Sequence, residues 1–370
     1  MKFSVSQADL SKGLSRVISV VPAKTTLPVL GNIMFKAQDG FLHLTATDLD
    51  VSITTKIQVD VKQPGSLTVP SKQFSELIKN LPNIPLEISS DPQFKLSVKC
   101  DKGDYKMSGE SDDDYPALPM IDEKGSLKID AKVLSRMIGK TTFAVSSDQL
   151  RPALTGVLFQ IMDKEFRLVA TDGHRLAKMV NTKFESTIKE KTNVIVPTKA
   201  LNEVAKDSKD AVNINIGQNH IRFDMGDTQL YSRILDETYP DYERVIPASN
   251  DKKLTADTHM VADAFKRVSI FANPITHQIR LAMNKKNIAI SAEDIDGGNT
   301  GMEKVQAEYE GEDLQIGYNS QLVLAALNNV DTQEVVIQFK NSTSAGIITP
   351  SHQVENEHQM MLVMPVRLND

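Results

Sequence analysis

Ala170–Leu176 reads ATDGHRL, and the same Ala-Thr-Asp already stands at Ala46–Asp48. The match extends outward from each copy. Upstream, Pro28–Phe35 (PVLGNIMF) answers Pro152–Phe159 (PALTGVLF). Downstream, Val69–Lys72 (VPSK) answers Val196–Lys199 (VPTK), and Tyr115-Pro116 answers Tyr239-Pro240. A fainter third copy runs through Ala292–Asp294 (AED). The spacing is close to a third of the 370 residues, so one module is written three times. No catalytic group repeats with it, which makes the module a device for geometry rather than chemistry.

A chain this long exceeds one core and suits three domains of roughly 120 residues. The repeat places them at 1–122, 126–246 and 250–370, joined by polar turns at Asp122–Gly125 and Pro247–Asp251. No apolar run is long enough to span a bilayer. The opening MKFSVS enters an alternating strand pattern at once and does not read as a secretory signal. A lone Cys100 excludes an internal disulfide and fits a reducing compartment, so the expectation is a cytoplasmic protein. The formal net charge of −6 argues against nucleic acid only if the charge is evenly spread.

It is not evenly spread. Each copy opens with a strand and an amphipathic helix: Leu10, Leu14, Val17 and Ile18 in the first, Leu134, Met137 and Ile138 in the second, Val261, Ala264, Phe265 and Val268 in the third. Lys12 and Arg16, then Lys132, Arg136 and Lys140, then Lys266 and Arg267 lie off those stripes. A second helix follows the Val-Pro-Ser/Thr-Lys element. There Lys72 and Lys79 share an outer face, as do Lys199 and Lys206 in the next copy, while Asn319–Asn328 carries Leu322, Leu324 and Leu327 and no base. Alternating strands at Phe41–Thr47, Phe166–Thr171, Ile288–Ala292, Leu86–Ser89, Val212–Ile216 and Val335–Phe339 complete the pattern. The fold class is therefore α+β, with three repeated domains, each of two helices packed on antiparallel sheets of roughly eight strands. Helices facing one way would make a positive wall on a negative body, suited to non-specific phosphate contact.

The triplication, Leu27–Asn32 (LPVLGN), ATDGHRL, Tyr239–Tyr242 (YPDY) and Met364–Leu368 (MPVRL) together resemble the bacterial DNA polymerase III beta subunit family, the sliding clamps. The resemblance covers essentially the whole chain. It implies three DNA-clamp domains forming half of a six-domain ring, closed head to tail by a second copy around double-stranded DNA. It implies no catalysis, no cofactor and no metal. DNA contacts implied by similarity are Lys24, Lys72, Lys79, Asp148, Gln149, Lys199 and Lys206; Lys12, Arg16, Arg136 and Lys140 are additions from pattern alone. A pocket for partner peptides, which carry a Gln and trailing Leu or Phe, is implied at Arg151, Leu154, Thr171, Gly173, His174, Arg175, Leu176, Pro240, Arg244 and Val245. Leu322 and the C-terminal Leu362, Val363, Met364, Pro365, Val366, Arg367 and Leu368 complete it. Family members often carry an aromatic where Leu322 stands. The dimer contact is implied at Ile270, Phe271 and Glu303 against Lys95, Lys102 and Tyr105. The acidic run usual on that side is diluted here to Glu293–Asn299 (EDIDGGN), which shifts weight onto Ile270 and Phe271. The partners implied are the polymerase III alpha subunit, the clamp-loader delta subunit, and other polymerases, mismatch-repair proteins and ligase through short motifs, at the nucleoid and with no membrane.

Enzymatic signals are weak. Gly139-Lys140-Thr141 ends like a phosphate loop, but Leu134 stands where its first Gly would be and the segment reads as helix. Asp112–Asp114 precedes Tyr115-Pro116 and reads as a solvated turn. Asp172 and His174 could pair as acid and base, yet no nucleophile motif accompanies them. Three readings thus compete: a DNA-encircling clamp, a metal-dependent hydrolase or nucleotidyl-transfer enzyme, and a protein-only scaffold.

Overall fold

The structure, a computed structural model, describes residues 1–122, 125–206, 211–285 and 287–368. Residues 123 and 124 of the first connector and the last two residues of the third copy therefore lie outside the described residues. Six α-helices are present among them: α1 (Gln7–Val17), α2 (Ser71–Asn80), α3 (Ala131–Thr142), α4 (Thr198–Val204), α5 (Thr258–Val268) and α6 (Ser320–Leu327). Each copy thus holds two helices, and nine strands, one of which is short. Helix starts follow the sequence: Ser6 caps α1 by accepting from the Asp9 amide, and Asp257 caps α5 by accepting from the Met260 amide. The stripes expected for α1, α3 and α5 are buried, with Ile18 only partly so. In α6 the buried face is Val323, Ala326 and Leu327 rather than Leu322, Leu324 and Leu327. Positions two apart cannot share a helix face, whereas three and four apart can.

The chain clusters into two compact units: Met1–Ser135 with Glu185–Ile188 and Lys199–Ile234, and Arg136–Phe184 with Lys189–Thr198 and Leu235–Asp370. The cut runs through the second copy, and the sheets explain it. Unit one contains a nine-stranded sheet in the order Glu185–Ser186, Gly125–Asp130, Ala211–Ile216, His220–Met225, Thr228–Arg233, Val51–Gln58, Phe41–Thr47, Asn32–Gln38, Gly65–Pro70. Copy one is joined to copy two in its middle, where Thr228–Arg233 pairs antiparallel with Val51–Gln58 and Leu230 lies opposite Ile53. Unit two contains a second nine-stranded sheet built in the same way. Its joint pairs Arg175–Asn181 of copy two with Glu357–Val363 of copy three, with Ala177 opposite Met361. Strand for strand, the second sheet is the first moved nine places along the chain.

Each unit also has a smaller sheet. Unit one has five strands, Asp60–Gln63, Lys2–Ser6, Pro85–Ser90, Lys95–Cys100 and Gly103–Ser108, ending at a free edge on Gly103–Ser108. Unit two has four, Asn299–Gln306, Asn287–Asp294, Gln278–Met283 and Leu314–Asn319, with a free edge on Asn299–Gln306. By position in the repeat, these are the two halves of the nine-stranded design, each lacking the other. Free edges of this kind are templates for pairing.

Candidate groove and edge sites

The repeated Thr-Asp explains itself as turn chemistry. Asp172 Oδ1 accepts from the amides of His174 (2.9 Å) and Arg175 (3.0 Å), and its Oδ2 accepts from Arg175 Nε (2.9 Å). Thr171 donates to the Arg175 carbonyl at 2.6 Å. In the first copy Asp48 accepts from the amides of Asp50 and Val51 at 3.1 and 2.7 Å. Both carboxylates close a hairpin, so Asp172 is engaged by backbone amides and Arg175. Gly173 takes φ +93°, and Arg151 Nη1 stands 3.1 Å from where its Cβ would be. Leu49 holds the same turn position at φ +80°. The repeated tyrosines are also structural: Tyr115 donates to the Thr45 carbonyl (3.1 Å), and Tyr239 to the Val169 carbonyl (3.4 Å). Burial raises both phenols above the usual range.

The residues expected to form a peptide pocket separate into a buried and an exposed set. Leu176 and Leu362 are buried in one cluster with Leu158, Val169, Ile195, Tyr242, Ala345 and Met360. Leu154 and Val363 are buried close by in the chain, and Thr171, Pro365, Val366 and Leu368 are half-buried. Gly173, His174, Pro240, Arg244, Val245, Met364 and Arg367 are exposed, as is Arg151, whose Nε donates to Asp148 at 3.0 Å. The C-terminal segment is tied down by Met364, whose amide donates to the His174 carbonyl at 2.8 Å, and by Val366, whose amide donates to the Gly317 carbonyl. Leu322 sits half-buried on α6. Asp148 accepts from the Leu150 amide and from Arg151, contacts that hold its carboxyl below the ordinary range; it positions Arg151. Gln149 beside it is exposed.

Strand register shows why copy two alone carries this apolar cluster. The row Leu158, Val169 and Ile195 corresponds to Met34, Thr45 and Thr68 in copy one, and to Arg280, Ser291 and Gly317 in copy three. Leu176 corresponds to Ser52 and Thr300 in the same way. Only the second copy places a buried aliphatic cluster along this row. Leu158, Val169, Ile195 and Met360 were not among the sequence candidates. Aligning the copies row by row, rather than by their shared motifs, is the signal that finds them.

The basic candidates also separate. Lys24, Lys72 and Lys79 are exposed and form no ion pair among the described residues. Lys199 pairs with Asp48, and Lys206 with Glu203 at 2.7 Å. Lys12 is exposed and Arg16 half-buried on α1. Arg136 and Lys140 are diverted from the role that pattern assigned to them. Arg136 makes a two-pronged pair with the buried Glu357, and Lys140 donates to the Asn329 carbonyl (2.8 Å) and Asp331 (2.6 Å). A carboxylate removed from water needs a cation, and α3 supplies it.

The interface candidates lie on the two free edges. Lys95, Lys102 and Tyr105 belong to the hairpin that ends in Gly103–Ser108. Glu303 is on Asn299–Gln306 and accepts from Arg267 Nε at 3.0 Å. Ile270 and Phe271 follow α5, 77% and 41% exposed. The Phe271 ring packs over Gly301, where a Cβ would come within 2.6 Å of it. Among the described residues no group of His, Cys, Asp and Glu is arranged to hold a metal, and no helix is long and apolar enough to cross a membrane.

Family models of the DNA polymerase III beta subunit match the chain along its length: the N-terminal domain over residues 1–119, the central domain over 128–241 and the C-terminal domain over 243–367. A Pseudomonas aeruginosa protein named beta sliding clamp is 33% identical over 373 residues, covering both chains completely. A crystal structure of a sliding clamp from Pseudomonas aeruginosa superposes with a TM-score of 0.94 at 32% identity over the whole of each chain. A DNA polymerase sliding clamp from Bacillus subtilis superposes with a TM-score of 0.92 at 29% identity, again over the whole of each chain.

Proposed function

We propose a function from one premise: the chain belongs to the DNA polymerase III beta-subunit family. It is a non-catalytic sliding clamp, the processivity factor of a replicative DNA polymerase. Two copies close head to tail into a ring of six domains, bounded in each chain at 1–122, 126–246 and 250–370, around duplex DNA in the cytoplasm. The observation that carries this reading is the pair of complementary half-sheets. Two nine-stranded sheets are complete within the chain, and the five- and four-stranded remainders are the parts of a third. Bringing Gly103–Ser108 of one copy against Asn299–Gln306 of another completes it, and doing so at both ends closes the assembly. Isologous pairing of like edges would not reproduce the order seen in the two finished sheets.

The register transfers with the strands. Tyr105 takes the place of Leu230 and Met361, while Gly301 takes that of Ile53 and Ala177. Tyr105, 38% exposed in the single chain, then lies opposite Gly301 and its ring meets Phe271. Ile270 and Phe271 supply the apolar contact; Lys95 and Lys102 on one side and Glu303 on the other supply charge.

Lys24, Lys72 and Lys79 act as the main phosphate contacts. Lys199 and Lys206 assist by exchanging carboxylate for phosphate, with Gln149 in the loop beside Asp148. Such contacts are weak, interchangeable and salt-dependent, so they permit sliding. Closure, not affinity, prevents escape. The groove of copy two docks short motifs of the polymerase alpha subunit, the loader delta subunit and other replication and repair proteins, holding them at high effective concentration. Opening falls to an external ATP-driven loader.

The test is to load the protein on nicked circular DNA, wash in high salt and then linearise. Retention on circles with release from linear ends is expected. Salt-labile binding equal on both forms would reject encirclement, and metal-dependent turnover by the protein alone would favour the enzyme reading.

A further inference from the structure

We propose that Lys178 is a specificity-determining residue of the copy-two groove, where its ammonium reads a carboxylate in the docked segment. This rests on the groove being a peptide-docking site and adds the chemistry of its occupant. Three adjacent strands carry the argument. On one face, Leu176 lies opposite Thr171 and Leu362, Lys178 opposite Val169 and Met360, and Val180 opposite Arg167 and His358. Over the four residue steps from Leu176 to Val180, about 13 Å, the face passes from the aliphatic pair Leu176 and Leu362 to Arg167 and His358. Lys178 stands at the boundary, with a member of the apolar cluster on each side.

No carboxylate among the described residues pairs with Lys178 directly. The carboxylates acting on it are Glu165 and Glu243, and Arg167 already takes both, at 2.6 and 2.7 Å. Lys178 forms no ion pair among the described residues and is half-buried. Burial and the positive charge of Arg167 hold its pKa below the ordinary lysine range. His358 is pushed down by burial and by Lys178, so it stays neutral near pH 7 and adds no competing cation. A half-dehydrated ammonium beside an apolar cluster favours a ligand that brings its own anion. The sheet itself has no need of the charge, because the same position holds Thr54 in copy one and Met302 in copy three. The occupant is thus an extended segment with aliphatic side chains for the apolar cluster and an Asp or Glu next to them.

The experiment measures fluorescence anisotropy with labelled ten-residue peptides carrying Gln and a Leu-Phe pair. Glu is placed at one flanking or internal position at a time, each paired with a Gln control, against the full-length protein and Lys178→Met. At one position Glu should bind about fivefold to tenfold tighter than Gln in the wild type. That ratio should fall to about one in the variant, with the Gln control binding both proteins alike. No preference for Glu at any position, or a preference that survives Lys178→Met, would overturn the role of Lys178 while leaving the groove intact. Failure of every peptide to bind wild type would remove the groove reading and this proposal with it.

Discussion

The two inter-copy joints share one backbone design and differ in nearly every side chain. Across the joint of unit one Thr55 and Thr228 share a hydrogen bond of 2.9 Å, and on the neighbouring strand pair of copy one Thr45 and Thr54 share one of 3.0 Å and Thr47 and Ser52 one of 2.7 Å. Two ion pairs across the joint, Lys56 with Asp227 at 3.7 Å and Arg233 with Asp50 at 4.0 Å, are exposed. In unit two the joint carries an aliphatic cluster at one end of one face, and Arg136, 35% exposed, pairs there with the buried Glu357. Ladder and register build the sheet in both, so the fold does not depend on which side chains ride on it. The proposed docking site does, because it needs the aliphatic row and exposed neighbours that copy two has and copy one lacks.

Breaking the ion pair should show the largest difference between the joints. Arg136→Met strands Glu357, whose side chain is only 5% exposed, and should cost about 3 kcal/mol or more in denaturant unfolding. Converting the second joint toward the first comes next. Val169→Thr with Leu176→Ser should weaken motif-peptide binding at least about tenfold in anisotropy, with retention on circular DNA unchanged. The hairpins provide a smaller contrast: Gly173→Leu, at φ +93° and facing Arg151, should destabilise by about 1–2 kcal/mol, although Leu occupies that turn position in copy one. Smallest is Lys56→Met, within about 0.5 kcal/mol of wild type, since an exposed pair contributes little. An equal loss for Arg136→Met and Lys56→Met would erase the distinction between the joints.

The sequence made the repeat, the helices and most strands legible because period and motif are local. Leu10, Leu134 and Val261 could be placed inward from spacing alone, and the Val-Pro-Ser/Thr-Lys element marked where a strand turns into a helix. The joints were not legible, since they pair residues far apart: Arg136 meets Glu357 across the chain, and no local pattern announces it. For the same reason Arg136 and Lys140 read as free surface cations when both are engaged. The aliphatic cluster of the proposed docking site was half visible. Leu176 and Leu362 stand beside recognisable motifs, whereas Leu158, Val169 and Met360 sit inside ordinary strands and gain their meaning only from the row they share.

The third nine-stranded sheet is the claim on which the ring depends, and disulfide trapping tests it most directly. A Lys106→Cys, Thr300→Cys double variant, mildly oxidised, should run as a covalent dimer on a denaturing gel, because the transferred register sets those positions opposite each other. The slipped pair Lys106→Cys with Met302→Cys should trap far less. Trapping of the slipped pair in preference, or monomer alone under both conditions, would contradict the account.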